Sequence, residues 1–236
     1  MMRTLVIIPA YNEADNIERV VEELLRHGYE YVVINDGSAD DTAQICKDRG
    51  YNLIDLPVNL GLTGAIQTGM QYAYHNGYDC AIQLDGDGQH DPKYIKDMLA
   101  QMQENGDDIV IGSRFVTEKK PKTLRMMGNN LIQFAIHLTT GKVLRDPTSG
   151  LRLYNRKMLK AFIQDINLTP EPDTVCYLIR CGAKVSEVQV EMRERIAGVS
   201  YLNLPRSIQY MLRMGISVLL IQWFRKEKKF AEEVVA

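Results

Sequence analysis

The chain has 236 residues, of which 45% are hydrophobic and 25% charged, and its formal net charge is -2. This length fits one large domain, or one domain with an appendage, of ordinary globular composition. The charge balance excludes the broad basic field that would attract nucleic acid. Four separated cysteines, without a C-x-x-C pair or a signal peptide, indicate reduced thiols in the cytosol.

Strand-like and helix-like segments alternate through the first half of the chain. The expected strands lie at residues 5–8, 31–34, 52–56, 80–84 and 108–111, and the expected helices at 14–27, 40–49, 63–76 and 92–103. Such alternation is typical of βαβ units, and it predicts a mainly parallel sheet. The strands are almost continuously apolar, which indicates that helices cover both faces of the sheet.

The pattern loosens after Ser113. Residues 115–125 are polar and basic, and they predict a mobile loop. Helices are expected at 131–140, 157–163 and 174–181, and strands at 151–154 and 184–192. A long amphipathic helix is expected over 205–226, followed by further basic residues.

The segment L-D-G-D-G-Q-H, residues 84–90, follows a buried strand. Side chains at the carboxyl end of a strand lie where open α/β sheets bind ligands. In an extended chain Asp85, Asp87 and Gln89 would point to the same side. Two carboxylates and an amide oxygen suit Mg²⁺ or Mn²⁺. Phosphates of the substrate usually complete the coordination shell of such an ion. The alternative is an acidic turn that caps the helix beginning near Pro92.

Three other polar segments follow strands of the same predicted sheet: residues 9–13, 35–42 and 59–69. Because the carboxyl ends of parallel strands share one edge, we expect these segments to line a single crevice with Asp85 and Asp87. Ordinary turn and helix-capping chemistry is the alternative for each, since Asn, Asp, Ser and Gly favour such positions.

Taken together, these segments resemble glycosyltransferase family 2, whose nucleotide-binding domain has the GT-A fold. The matching motifs are P-A-Y-N-E (9–13), D-G-S-x-D-x-T (36–42), N-x-G-x-x-x-A (59–65), D-x-D-x-Q (85–89), G-S-R (112–114) and D-P-T-S-G-L-R-L-Y (146–154). Within the family the chain looks most like the polyprenyl-phosphate sugar synthases of the dolichol-phosphate mannose synthase type. It departs from their R-x-x-G-x-S motif, residues 195–200, in having Tyr201 where Lys usually follows.

The resemblance implies roles for the residues of the donor site. Pro9, Ala10, Tyr11 and Glu13 would line the nucleoside pocket, and Asp36 would accept a hydrogen bond from a nucleobase N–H. The other residues implied to contact the substrate are Gly37, Asn59, Gly61, Gly64, Asp85 and Ser200.

The resemblance also implies a metal and a set of phosphate-binding cations. Asp87 and Gln89, with Asp85 nearby, would hold Mg²⁺ or Mn²⁺ against the diphosphate. The cations implied for the phosphates are Arg114, Arg125, Arg152 and Arg195. Of all these residues, Asp85, Asp87, Arg114 and Arg195 are expected to act in catalysis itself.

The implied reaction is an inverting, metal-dependent transfer of a hexose from a nucleotide sugar, UDP favoured over GDP, to a polyprenyl phosphate. In this interpretation residues 1–204 form the GT-A domain, with a nucleotide-binding half at 1–114 and an acceptor half at 115–204. A lipid phosphate is already anionic and needs little help from a general base. One alternative is transfer to a saccharide or glycolipid hydroxyl, with Glu171 or Asp173 as the base; another is a nucleotide-sugar-binding scaffold without turnover.

A bilayer-resident acceptor raises the question of membrane contact. No stretch reaches the ~20 apolar residues that a spanning helix needs. The apolar and basic helix in 205–236 resembles an interfacial anchor, and residues 124–138 form a second candidate surface. We therefore expect a cytoplasmic protein, peripheral at the inner face of the cell membrane. The same helices could instead pack in a homo-oligomer or bind a small integral-membrane partner.

Overall fold

A seven-stranded sheet in the order β3-β2-β1-β4-β6-β5-β7 forms the centre of the protein. The computed structural model describes residues 2–193, 204–221 and 224–225. Neighbouring strands are parallel except around β6, which runs antiparallel to both β4 and β5. The strands are β1 (Thr4–Ala10), β2 (Glu30–Asn35), β3 (Leu53–Asp55), β4 (Cys80–Gln83), β5 (Ile109–Ser113), β6 (Arg152–Asn155) and β7 (Val185–Gln189). The predicted mainly parallel α/β sheet is confirmed.

Helices connect most of the strands. They are α1 (Ile17–Arg26), α2 (Thr42–Asp48), α3 (Gly61–His75), α4 (Ile95–Asn105), α5 (Leu124–Thr140), α6 (Arg156–Gln164), α7 (Pro172–Arg180) and α8 (Leu204–Ile216). A 3-10 turn, Pro92–Tyr94, precedes α4, and a π-helical turn, Ser217–Ile221, continues α8. Across the described parts of the chain, every helix is too short or too polar to cross a bilayer.

Helix α5 begins earlier than the sequence pattern indicated. It was expected at residue 131 and starts at Leu124, so the predicted loop over 115–125 ends at Thr123. The physical reason is an N-cap: the Thr123 hydroxyl oxygen accepts the backbone N–H of Met126 at 3.3 Å. Such a cap satisfies one of the unpaired donors of a first helical turn.

The core lies on both faces of the sheet. Along β1, Leu5 and Ile7 face one layer of helices, whereas Val6 and Ile8 face the other. This alternation is the period of a strand, and it explains why a continuously apolar segment forms a central strand. Helices α3, α5, α6, α7 and α8 contribute to the first layer, and α1 and α4 to the second.

The sheet has a switch point between β1 and β4. From β1 the chain goes to β2 and β3 on one side, and then crosses to β4 on the other. The carboxyl ends of β1 and β4 therefore lie side by side, with Ile7 paired to Gln83. A crevice at such a point is where open α/β sheets bind ligands.

Close packing of α3 on β1 supports this edge of the sheet. A Cβ atom built on Gly69 would lie 2.3 Å from Cγ2 of the fully buried Ile7. We expect Gly69→Ala to lower the free energy of unfolding by about 1–3 kcal/mol, as overpacking of a core does. Urea denaturation measures the change.

Gly215→Ala on α8 is the matched control. There the added methyl would meet its nearest neighbour at 3.9 Å, which is ordinary contact. Equal losses in the two variants would show that steric overlap with Ile7 is not the cause.

Candidate active site

The loop after β1 is tied to the loop after β2. The Asn12 N–H donates to the Ser38 hydroxyl at 2.9 Å, and the Asn12 side-chain oxygen accepts the Ala39 N–H at 2.8 Å. The Glu13 N–H donates to the Thr42 hydroxyl at 2.9 Å. Asn12 has a positive φ of 56°, which Asn tolerates better than most residues. Hydrogen bonds thus join the two loops into one wall at this edge of the sheet, and they are the turn chemistry given as the alternative. The nucleoside pocket stays a prediction.

Asp36 lies at the base of this wall and is 3% exposed. One of its carboxylate oxygens accepts the Leu60 N–H at 2.7 Å, and its own N–H donates to the Ala10 carbonyl at 2.8 Å. Gly37 permits the close approach of the next segment, since a Cβ there would lie 2.7 Å from the Asn59 nitrogen. The structure therefore brings Asp36, Gly37 and Asn59 together, as predicted.

The first turn of α3 also faces this edge. Gly61 begins the helix with φ +74°, and its N–H donates to the Asn59 side chain at 3.0 Å. Gly64 packs directly on the Leu60 side chain. Tyr11 directly follows β1 and is 38% exposed.

The loop after β4 is a turn rather than the extended segment that the side-chain alternation assumed. Gly86 and Asp87 form the turn, and Gly88 has φ +74°. Asp87 is 5% exposed, and one of its carboxylate oxygens accepts the Gln89 N–H at 3.0 Å. Convergence of Asp85, Asp87 and Gln89 on one ion therefore stays a prediction, but simple alternation is the wrong reason for it.

Arg193 fixes the far end of this loop. Its backbone N–H donates to the Gln89 carbonyl at 2.9 Å, and its carbonyl accepts the Gln89 side-chain N–H at 3.4 Å. Its guanidinium pairs with Glu23 on α1 and with Asp91, at 2.8 Å in each case. Since the amide nitrogen of Gln89 points to Arg193, its amide oxygen is turned away and can serve as a ligand.

Asp85 is held by residues that the sequence analysis did not single out. The ring nitrogen Nε2 of the buried His90 lies 3.2 Å from Asp85 Oδ2, and the Gln83 amide donates to Oδ1 at 3.2 Å. A Cβ on Gly150 would lie 2.7 Å from Asp85 Oδ2. Burial alone would raise the pKa of the Asp85 carboxyl, but the His90 contact, with the charge of Arg152, lowers it below its usual range.

Arg152 is a buried cation beside Asp85. It is 1% exposed, and its guanidinium donates to the carbonyls of Ser149 at 2.9 Å and Pro147 at 2.7 Å. Its Nη1 atom is buried and has no hydrogen-bond partner among the described residues. A buried donor of this kind costs free energy unless a ligand or water satisfies it.

Arg114 is fixed by a bidentate ion pair. Its Nε and Nη2 atoms donate to the two oxygens of Asp146, at 2.7 and 2.8 Å. Asp146 is fully buried and also accepts the Asn129 side-chain N–H at 3.1 Å, whereas the Arg114 side chain keeps 21% of its exposure. A guanidinium has five N–H donors, so Arg114 is held in place with donors to spare.

Three predicted site residues, two of them phosphate-binding arginines, cannot be placed in this network. Arg125 lies in the first turn of α5, but its side chain is outside what the structure describes. Arg195 and Ser200 lie outside the described residues altogether. Their roles stay predictions from the resemblance.

Glu171 and Asp173, at the start of α7, are both bound to the terminal helical segment. The Tyr210 hydroxyl donates to Glu171, and the Ser217 hydroxyl donates to Asp173 at 2.6 Å. Burial raises the pKa of the Glu171 carboxyl, although the Tyr210 hydrogen bond and the charge of Arg152 oppose that rise. One carboxylate oxygen of each candidate base thus already accepts a hydrogen bond from a hydroxyl group of the protein.

Comparison with other sequences identifies the family. The family model of glycosyl transferase family 2 matches residues 5–163. The chain is 32% identical over 182 residues to UDP-N-acetylglucosamine–dolichyl-phosphate N-acetylglucosaminyltransferase of Methanococcus voltae, covering 68% of this chain and 72% of the relative. It is 28% identical over 217 residues to polyprenol monophosphomannose synthase of Mycolicibacterium smegmatis, covering 85% and 81%.

Comparison with solved structures agrees with this assignment. Glucosyl-3-phosphoglycerate synthase from Mycobacterium tuberculosis, in complex with Mn²⁺ and UDP-glucose, superposes with a TM-score of 0.64 at 18% identity. The match covers 94% of this chain and 79% of that chain. At this identity the likeness shows the fold, and it confirms the predicted GT-A class. The chain is a glycosyltransferase and belongs to glycosyl transferase family 2.

Proposed function

We propose that the protein transfers a hexose from a nucleotide sugar to a polyprenyl phosphate. One observation carries the proposal: carboxylates and fixed guanidiniums meet at a single sheet edge. Asp85 follows the carboxyl end of β4, Arg114 follows that of β5, and Arg152 begins the antiparallel β6 between them. An edge that offers metal ligands and phosphate-binding forks suits two phosphorylated substrates. Relatives whose names specify dolichyl-phosphate or polyprenol substrates support the same interpretation.

A divalent ion fits the donor set of the β4 loop. Asp87 and Gln89 would hold Mg²⁺ or Mn²⁺ with Asp85 nearby, because the lowered pKa keeps Asp85 ionised and the Gln89 oxygen is turned away from Arg193. When bound, the ion supplies positive charge that stabilises the departing nucleoside diphosphate. The structures of the M. tuberculosis synthase with Mn²⁺ and with Mg²⁺ support a divalent ion here.

We propose UDP rather than GDP as the nucleotide. One oxygen of Asp36 accepts the Leu60 N–H, and the carboxylate keeps lone pairs for a nucleobase N–H. Uracil presents one imide N–H and guanine presents two donors, and Asp36 suits either, so the choice rests on the relatives. The UDP-sugar in the name of the M. voltae relative, and UDP-glucose in the related structure, support this choice.

The acceptor phosphate would be oriented by the cations of the site. Arg114, restrained by Asp146, binds and orients it, and Arg152 adds a fixed positive charge. An acceptor oxygen then forms the bond to the anomeric carbon as the bond to the diphosphate oxygen breaks, which inverts the centre. No proton has to be removed from an anionic phosphate. The hydrogen bonds that Glu171 and Asp173 accept from Tyr210 and Ser217 also favour a phosphate acceptor over a hydroxyl.

The location follows from the acceptor. A polyprenyl phosphate resides in the bilayer, and nucleotide sugars are soluble, so we place the enzyme peripherally at the inner face of the cell membrane. The terminal segment over 205–236 is the proposed contact with the membrane.

Asp87→Asn tests the metal-assisted reaction. We expect it to reduce transfer of labelled sugar from a UDP-sugar to undecaprenyl phosphate by about 100-fold or more, the scale of losing one stabilising group in a transition state. The measurement is label in the organic phase, from UDP- and GDP-sugar panels in detergent with Mg²⁺ or Mn²⁺. Asp97→Asn, at an exposed position of α4, is the matched control. Transfer that persists with a chelator or in Asp87→Asn would exclude the proposed metal role, and hydrolysis without lipid label would exclude the lipid acceptor.

Gly150→Ala tests the placement of Asp85. The new methyl would overlap Asp85 Oδ2, so the carboxylate must move. We expect kcat/KM to fall about 10- to 100-fold, as small misplacements of reacting groups do. Thermal unfolding should change little, because the displaced group is partly exposed. Full activity in this variant would mean that the position of Asp85 does not matter.

Glu171→Gln tests the buried carboxyl. A carboxyl with a raised folded-state pKa stabilises the protein most below its ordinary value of 4.5, and this contribution is lost as pH rises through the folded-state pKa. We therefore expect the stability of Glu171→Gln relative to the wild type to rise from about pH 5 to about pH 8. Urea denaturation at the two pH values measures it. Glu104→Gln, at an exposed position of α4, should show no such trend, and a falling difference for Glu171→Gln would reverse the assigned sign.

A further inference from the structure

The described surface includes an apolar stripe along α5. Met127, Leu131, Phe134 and Leu138 recur at helical spacing and are 66%, 43%, 60% and 64% exposed. The opposite side of the same helix, which carries Ile132 and Ile136, is fully buried in the core. The exposed stripe is therefore additional to the face that folding requires.

A second stripe runs along the terminal helical segment. Leu212, Ile216 and Leu220 are 56%, 54% and 58% exposed, whereas Met214 and Val218 face the core. This segment, like α5, is apolar on both sides. Its outer side is not explained by packing within the described chain.

The two stripes adjoin. A Cβ on Gly128 of α5 would lie 2.5 Å from Met211 Cγ, so the helices approach closely there. A Cβ on Gly215 would lie 3.9 Å from the Leu131 side chain. Leu131, in the α5 stripe, therefore lies close to Gly215, which precedes Ile216 of the second stripe. Together they form one apolar surface, the docking face: Met127, Leu131, Phe134, Leu138, Leu212, Ile216 and Leu220. A contiguous exposed apolar patch marks an interaction site.

The two chain segments that carry the docking face contain basic residues and no acidic ones. Residues 119–145 contain six Lys or Arg and no Asp or Glu. Residues 195–226 contain five Lys or Arg and again no Asp or Glu. The rest of the chain holds the other 17 basic residues together with all 30 acidic ones. Lys119, Lys122, Lys142 and Arg213 are exposed in the acid-free segments. These exposed basic residues, the basic rim, lie before and after α5 and on α8 in a protein of nearly neutral net charge.

From these features we propose that the docking face binds a bilayer surface that contains anionic lipids. Apolar side chains can enter the boundary between headgroups and acyl chains, while the basic rim pairs with anionic headgroups. A second copy of this chain is a poorer partner, because its docking face would bring charges of the same sign together. This inference rests on the proposed function in one respect: a bilayer-resident acceptor requires such contact.

The inner sides of both helical segments touch the candidate active site. Asn129 on α5 donates to Asp146, the partner of Arg114. Tyr210 and Ser217 on the terminal segment donate to Glu171 and Asp173. Docking would therefore bring the phosphate-binding side of the crevice next to the lipid surface.

Vesicle sedimentation tests the proposal. We expect the full chain to bind vesicles of phosphatidylcholine mixed with phosphatidylglycerol at least about tenfold more tightly than phosphatidylcholine alone, with weaker binding at high salt. Phe134→Ser with Leu212→Ser should weaken binding to the mixed vesicles at least about tenfold. The matched control is Leu25→Ser, since Leu25 is 52% exposed on α1, which packs in the other helix layer.

Charge reversal tests the rim separately. Lys122→Glu with Lys142→Glu should reduce binding to mixed vesicles, whereas Lys96→Glu, at an exposed position on α4, should not. Failure of the wild type to bind mixed vesicles, or unchanged binding in Phe134→Ser with Leu212→Ser, would overturn the proposal. So would a dimer in sedimentation equilibrium that becomes a monomer in that double variant while vesicle binding persists.

A water-soluble, short-chain prenyl phosphate separates this inference from the proposed function. Transfer to it without vesicles should be the same in the wild type and in Phe134→Ser with Leu212→Ser, because neither residue lies in the candidate site. Transfer without vesicle binding would overturn the docking inference alone. Vesicle binding that meets the expectations above, without transfer to any prenyl phosphate, would support docking and overturn the proposed function alone.

Discussion

A buried positive charge at the start of β6 is the constraint on which the electrostatics of the site depend. Arg152 lies on the strand between β4 and β5, and its hydrogen bonds to the described residues go to the carbonyls of Ser149 and Pro147. Isolated buried charge is costly, so nearby groups must compensate for it. Burial alone would raise the pKa of Asp85, but the His90 contact and, to a smaller extent, the charge of Arg152 lower it. At Glu171 burial raises the pKa, and the Tyr210 hydrogen bond and the charge of Arg152 oppose that rise. In the proposed function, the same charge would favour binding of an anionic diphosphate.

Local patterns in the sequence predicted much of the fold. Continuous apolar strands and intervening amphipathic helices gave the sheet and its crevice, because burial on both faces leaves that signature. The resemblance singled out Gly37 and Gly61 as substrate contacts, and the structure adds that both adopt positive φ. The antiparallel direction of β6 could not be predicted, because a short apolar strand has the same sequence pattern whether it pairs parallel or antiparallel.

Roles that depend on distant contacts were not accessible from the sequence. His90 and Asp146 lie within the motifs, but their functions come from Asp85 and Arg114, which only folding brings to them. The turn at Gly86–Asp87 also escaped the alternation argument, which assumes extended chain. The start of α5 at Leu124 was missed because the polar and basic residues just before it indicated a loop. That the two apolar stripes lie side by side likewise depends on tertiary structure, although the apolar residues of each stripe could be seen in the sequence.

The insertion of β6 has a consequence for how the chain is made. Strand β5 ends at Ser113, but its neighbours in the sheet, β6 and β7, lie later in the chain and are synthesised after it. A nascent chain that stops near residue 114 would leave β5 with two bare edges, and such edges invite pairing with other chains. Strand β6 pairs with β5 only after Asn155 has emerged, and the sheet is complete only after Gln189, the last residue of β7. The first half of the polypeptide is therefore the portion most in need of protection during synthesis.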